Sequence, residues 1–199
     1  MNPYPSRAVA RETLEWAAQR HSGRWVEHSQ NVARAAELIA VRCGLDADKA
    51  YVLGLLHDIG RYPGPTYARH LLDGYRFCVE HGWTDAARIC LTHSFPTPQL
   101  DSFIGWHDVS ADEKAFVGQI LCQPMDDYDR LIQLCDALAI HSGFWILEKR
   151  WVDVVLRYGW SDVNPDKWRA TLEIKRHFDE RAGRNIYELL PGIEENSLR

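Results

Sequence analysis

"LGLLHDIGRYPGP", residues 53–65, sets a histidine and an aspartate side by side at the end of an apolar run, directly before Gly60, Pro63 and Pro65. Leu53, Leu55, Leu56 and Ile59 have the character of core residues, and they carry His57 and Asp58 inward with them. Burying ionisable groups is costly unless they are paired or coordinate a metal. Whatever compensates this pair must come from elsewhere in the chain.

The whole sequence sets the bounds. Its 199 residues suit a single domain spanning 1–199, long enough to bury roughly 70% of the surface of the unfolded chain. A core over about 24–141 is expected, with helices in 142–199 packed upon it. The composition, 46% hydrophobic and 26% charged, is that of an ordinary globular chain. No apolar run reaches the ~18 residues a membrane helix needs, and MNPYPSRAVARE lacks a signal-peptide core, so no membrane partner and a cytoplasmic location are expected. A net charge of -5 argues against nucleic acid as a partner. The five cysteines (43, 78, 90, 122 and 135) form no close-spaced motif and read as reduced core residues. The oligomeric state is not readable.

An all-α fold follows from the periodicity. Residues 7–20, 25–42, 47–58, 67–81, 84–93, 111–122, 128–141, 143–158 and 165–182 each accept a repeat near 3.6, and no stretch sustains an apolar/polar alternation. Stops fall at Gly44, Gly60, Gly82, Pro96, Pro124 and Gly159, and Asn164-Pro165 opens the last long helix. The eight tryptophans (16, 25, 83, 106, 145, 151, 160 and 168) are scattered as packing anchors and form no base-stacking platform.

Placing polar residues on these helices gives the site. His28 shares a stripe with Val32, Ala35 and Ile39; His70 lies with Gly74, Phe77 and Cys78; His93 closes the stripe of Ala86, Ile89 and Cys90. Asp136 sits inside LIQLCDALAI, which is otherwise nearly all apolar. Each residue alone has an ordinary reading as a satisfied core group. Four inward histidines and two inward aspartates together would need six separate explanations, whereas metal coordination accounts for all six. Imidazole and carboxylate without thiolate suit a divalent transition metal (Fe, Mn, Co, Ni or Zn). Six donors exceed what one ion with open positions needs, and two ions sharing a carboxylate fit, with Asp58 as the bridge.

His28, HDIGR at 57–61 and Asp136 in LCDALA together resemble the HD-domain metal-dependent phosphohydrolase superfamily, as does EHSQNVARAAELIAVRCGLDADKAYVLGLLHDIGR around them. The resemblance covers roughly residues 24–141. It implies a helical bundle in which His28, His57, Asp58 and Asp136 hold one metal, while His70 and His93 match the dinuclear subclass and hold a second with Asp58. A tight turn must bring the 67–81 helix round for this. The implied reaction is hydrolysis of a small phosphorylated substrate by a metal-bound hydroxide, with Asp58 and Arg61 as catalytic residues and Arg61 as a bidentate phosphate donor. Nucleotides lead, because short HD proteins with this donor order resemble dinucleoside-tetraphosphate hydrolases. A diiron oxygenase acting on a polyol or phosphonate uses the same six ligands in other members, and a non-catalytic signalling module is the third reading. Arg61, Arg69 and the N-terminus of the 67–81 helix, all beside the ligands, tip the balance to phosphate.

The remaining histidines and charges are expected to be peripheral. The second HD dipeptide, His107-Asp108, lacks an apolar lead-in and reads as a loop coincidence. His141 and His81 are expected to cap helix ends, and His21 and His177 to be solvated. Arg24, Glu27 and Arg34 are candidates for orienting ligands, with a plain solvated face as the ordinary alternative.

Overall fold

The computed structural model describes residues 2–103 and 105–198. Ten α-helices run through these residues: α1 Arg7–Arg20, α2 Arg24–Cys43, α3 Ala47–Leu56, α4 Arg69–Glu80, α5 Thr84–Thr92, α6 Ala111–Leu121, α7 Asp127–Leu138, α8 Leu147–Tyr158, α9 Asn164–Ala182 and α10 Ile193–Leu198. The one sheet among them is a two-residue antiparallel ladder of β1, Ala139–Ile140, and β2, Gly143–Phe144.

Cap chemistry fixes several helix starts. Asp46 accepts from the Lys49 amide, and capping boxes pair Ser110 with Glu113 and Asp126 with Asp129. Pro165 falls in the first turn of α9, where a missing N–H costs nothing.

Helices α2 and α3 form the centre. Val32, Ala33, Ala35, Ala36, Ile39 and Ala40 of α2 and Val52 to Leu56 of α3 are all buried, so α3 is surrounded on nearly every side. A Cβ at Gly54 would sit 2.9 Å from the Ala33 Cα, so glycine is what allows the two helices to meet backbone to backbone. A second apolar cluster, with Leu71, Leu72, Leu91, Phe95, Val117 and Leu121, joins α4, α5 and α6. Ile174, Phe178 and Ala182 of α9 enter the main core, and Arg181 donates to the Cys43 carbonyl at the end of α2. Helix α8 lies outermost, with Leu147 buried and Leu156 81% exposed.

Asp129 ties α7 to α5. It is wholly buried and accepts from Arg88 Nε (2.9 Å), Thr92 Oγ1 (2.7 Å) and the Asp126 amide (3.0 Å). This holds together the helices that carry His93 and Asp136.

Several boundaries differ from those expected. The 128–141 helix stops at Leu138 and the 143–158 helix begins at Leu147, because the chain turns through the small hairpin instead. Asn31 of α2 donates to the carbonyls of Ile140 (2.8 Å) and His141 (3.3 Å) and so satisfies the turn from another helix. His141 therefore lies exposed in a hairpin turn, and the cap of α7 is Ala139. His81 does cap α4, with its ring Nδ1 2.8 Å from the Phe77 carbonyl. Of the cysteines, 43, 78, 90 and 135 are buried, but Cys122 is exposed at the end of α6. Trp151 and Trp168 stack at 5.0 Å and join α8 to α9, whereas Trp160 is largely exposed.

Candidate metal centre

The apolar run of α3 ends at Leu56, and the ring of His57 turns back on the last turn, its Nδ1 2.7 Å from the Gly54 carbonyl. Only an N–H can face a carbonyl, so the proton is on Nδ1 and the Nε2 lone pair points into the protein. His93 is held likewise against the Ile89 carbonyl (3.1 Å), and His70 against that of Tyr67. Three imidazoles thus present unprotonated Nε2 atoms to one place, which is how second partners prepare histidines for a metal.

Asp58 lies at that place. Its Oδ1 is 3.3 Å from His70 Nε2 and 3.7 Å from His93 Nε2, and its Oδ2 is 3.9 Å from His57 Nε2. His57 Nε2 is in turn 3.7 Å from Asp136 Oδ1, which lies 2.8 Å from His28 Nε2. Two groups of donors, each with its atoms within 4.8 Å of one another, emerge: His28, His57 and Asp136, and His57, Asp58 and His93. His70 joins the second through Asp58 and lies outside both groups of three. The arrangement has an inside and an outside: the His57 side chain is 0% exposed and that of Asp58 5%, while those of His28 and Asp136 are 15% and 27% exposed.

The tight turn that this requires is the 3₁₀ segment Ile59–Arg61. Gly60 packs on the first turn of α4 so closely that a Cβ there would lie 2.0 Å from the His70 carbonyl oxygen. Arg61 follows, with Nε 2.5 Å from Asp58 Oδ2 and Nη2 3.3 Å from His70 Nε2. Its own carbonyl meets His21 Nδ1 at 3.1 Å, so His21, expected to be solvated, instead braces this turn.

Electrostatics puts the donors in the forms that a cation requires. Burial pushes His57 down to about 4, and burial with the neighbouring Arg61 pushes His70 down to about 3, so both rings are neutral at pH 7. Burial alone would raise Asp58, but Arg61 and the surrounding imidazoles hold it well below the usual carboxylate range. Burial is likewise the largest single influence at Asp136, but the hydrogen bond from His28 together with the His28, His57 and His93 rings overcomes it and keeps the carboxylate ionised. His57 Nε2 and Asp58 Oδ1 are buried with no hydrogen-bond partner. Such atoms cost roughly 1–3 kcal/mol each, and two of them in one cluster of neutral imidazoles and carboxylates fit a divalent cation between them.

A family model, HD domain, matches residues 25–140. The chain belongs to the HD-domain family. That superfamily is of the metal-dependent phosphohydrolase type and also includes non-catalytic members. The HD-domain match spans α2 to β1 and contains all six convergent residues. No curated protein and no solved structure gave a significant match. In this HD domain the buried His/Asp groups could hold a metal. No helix among the described residues is long and apolar enough to cross a membrane.

Three expectations around the HD-domain site fail. Arg69 is spent on Asp73 (3.0 Å) and Glu113 (2.9 Å) and does not face the donors as a free cation. The N-terminus of α4 is also occupied: Asp108 accepts from the amides of Tyr67 (2.6 Å) and Arg69 (3.1 Å), and the Gly105 carbonyl from that of Ala68. The second HD dipeptide therefore has a structural task, capping the helix that carries His70. Arg24, Glu27 and Arg34 are exposed on α2, and Arg34 lines a groove between α1, α2 and α3 that contains none of the donors. His177 pairs with Asp127 at 3.3 Å.

Lys167, which the sequence did not single out, lies in the first turn of α9 with Nζ 3.3 Å from the Ser102 carbonyl. Burial lowers its pKa, and the nearby Asp136 carboxylate acts against that.

Proposed function

We propose that the protein is a metal-dependent phosphohydrolase that cleaves a small phosphoester, with nucleotides the first class to test. The observation that carries this reading is the pair of donor groups that share His57, with two partnerless buried atoms among them, His57 Nε2 and Asp58 Oδ1. His28, His57, Asp58 and Asp136 would hold one divalent transition metal, and Asp58, His70 and His93 a second, with Asp58 shared between them. When bound, such ions supply Lewis acidity toward phosphoryl oxygens and a lowered pKa for water.

The chain's own residues do the rest. The Gly54, Tyr67 and Ile89 carbonyls keep the rings aimed, and the low pKa values of His57 and His70 keep them unprotonated down to acid pH. Arg61 fixes the Asp58 carboxylate and offers a planar guanidinium at the site, suited to a phosphoryl group as the substrate enters. Entry is from the side of His28 and Asp136, the more exposed donors.

The same six donors also serve the oxygenase alternative. With Arg69 and the α4 N-terminus engaged elsewhere, one cation and one helix end that favoured phosphate drop out. The test is product formation by metal-reconstituted protein under strict anaerobiosis, with Asp58→Ala as the blank. Hydrolysis predicts phosphate or a nucleoside monophosphate under nitrogen with Mn, Co or Ni. Turnover that needs both iron and oxygen would overturn the reading.

A further inference from the structure

Helices α1 and α2 follow one another through only three residues, 21–23, yet hardly touch: each rests on α3, and a gap stays open between them. The gap is a groove of about 460 Å³, within the range of roughly 300–1,000 Å³ that small-molecule sites occupy. Its apolar lining is Leu14 and Leu55, both buried, with Ala18 and Val26, both half-buried.

The groove is a separate place from the donor cluster. Val26 and Leu55 line it, and the donors His28 and His57 follow them by two residues each. Two residues are about 200° apart round a helix, so α2 and α3 turn one face to the donors and the opposite face to the groove.

The charges along the groove are unbalanced. At one end Arg7 of α1 bonds Glu37 of α2 (2.7 Å) and Asp48 of α3 (2.8 Å). The two helices run antiparallel from that pair, so one turn inward Arg11 of α1 stands across from Arg34 of α2. Among the described residues neither of these arginines has a carboxylate within ion-pair distance, whereas Arg7 beside them has two. The other carboxylate of the groove, Glu15, lies a further turn along α1 and bonds neither. Two facing cations repel one another. Arg11 is nevertheless held in place: its Nε donates to the Tyr51 phenol (3.1 Å) and its guanidinium lies 5.4 Å from the ring centroid. Both of its terminal amino groups stay open to a ligand.

We propose that this groove binds a small amphipathic anion, its carboxylate or phosphoryl head between Arg11 and Arg34 and its apolar body along Leu14, Ala18, Val26 and Leu55. Such an occupant neutralises the facing cations and covers the apolar strip together, which neither water nor a neutral apolar molecule does. The site stands whether or not the metal centre hydrolyses phosphoesters.

Isothermal titration calorimetry on the full, metal-loaded chain tests this, with octanoate and octyl phosphate as probes below their micelle concentrations and octanol as the neutral control. At least one anion should bind, and octanol should bind about tenfold more weakly or worse. Octanoate alone would identify the head as a carboxylate, and octyl phosphate alone as a phosphoryl group. Arg11→Gln and Arg34→Gln should each weaken anion binding about three- to tenfold, and Arg34→Lys, which keeps the charge, should stay within about twofold of wild type. Arg34→Gln should melt no lower than wild type, since it breaks no ion pair among the described residues. Anion binding undiminished in both glutamine variants lies elsewhere on the protein and would overturn the site, as would equal binding of octanol or no binding of either anion by wild type.

Discussion

Gly60→Ala should detach half of the donor cluster while sparing the other half. The added Cβ would lie 2.0 Å from the His70 carbonyl oxygen and 2.4 Å from the Gly74 amide nitrogen, both backbone atoms that no rotamer change can move. Real Cβ contacts essentially never fall under 3.0 Å, so the 3₁₀ turn and α4 must separate by about 1 Å or more, an overpacking strain of about 3 kcal/mol. For a chain of this length that is a fall in Tm of about 6–12 °C. The displacement acts directly on the 3.3 Å approach of His70 Nε2 to Asp58 Oδ1, because His70 rides on the helix that is pushed away. His28, His57 and Asp136 lie on other elements and keep their places. Calorimetry and metal analysis of the purified variant should therefore give a lower Tm and a lower metal content than wild type. Gly118→Ala is the contrast, since its Cβ meets only the Leu100 side chain at 3.1 Å and replaces glycine inside a helix. If Gly60→Ala melts within about a degree of wild type and keeps its full metal content, the close approach of the turn to α4 is wrong.

Three further outcomes are expected. Removing bound metal with a chelator should lower the melting temperature, because ions that bind only the folded state stabilise it; an unchanged transition would count against the centre. The metal-free protein should lose stability as pH falls from about 6.5 toward 4, followed by denaturant midpoints between pH 7.5 and 4.5: His57 and His70 are held at about 4 and about 3, so over this range the unfolded chain binds protons that the folded chain refuses. Asp58 and Asp136, also lowered, add to the loss in the same direction below about pH 4, and a flat profile would refute the neutral-imidazole arrangement. Asp108→Ala should cost about 0.5–2 kcal/mol by uncapping α4, while His107→Ala, an exposed change one residue earlier, should leave the denaturation midpoint where it was.

The donors were legible in the sequence because each reveals itself locally. A histidine on an apolar stripe or an aspartate within LIQLCDALAI is out of place for its own helix, and periodicity alone turns it inward. The residues that escaped notice owe their roles to partners far along the chain. Asp108 looked like a loop coincidence because the amides it caps are 41 and 39 residues away, and Asn31 satisfies a hairpin carbonyl 109 residues distant. Asp129 drew no notice, because the Arg88 and Thr92 side chains that close over it lie 41 and 37 residues away. Arg69 was misjudged for the same reason, since Glu113 lies 44 positions ahead. Lys167 had nothing in its surroundings, DKWRA, to mark it off from any other helix lysine.

The tethering of the imidazoles divides labour within the bundle. His57, His70 and His93 each hang from a carbonyl three or four positions back in their own segment, so the direction of each ring is settled by a single turn of backbone. Assembly then has only distances to arrange, and mutations that shift helices should change the size of the cluster before they change its aim. His28 is the exception, its ring held by Asp136 of another helix 108 residues away. Its orientation is a joint property of α2 and α7, so loosening that one helix pair would misdirect a single donor and leave three still pointed at Asp58.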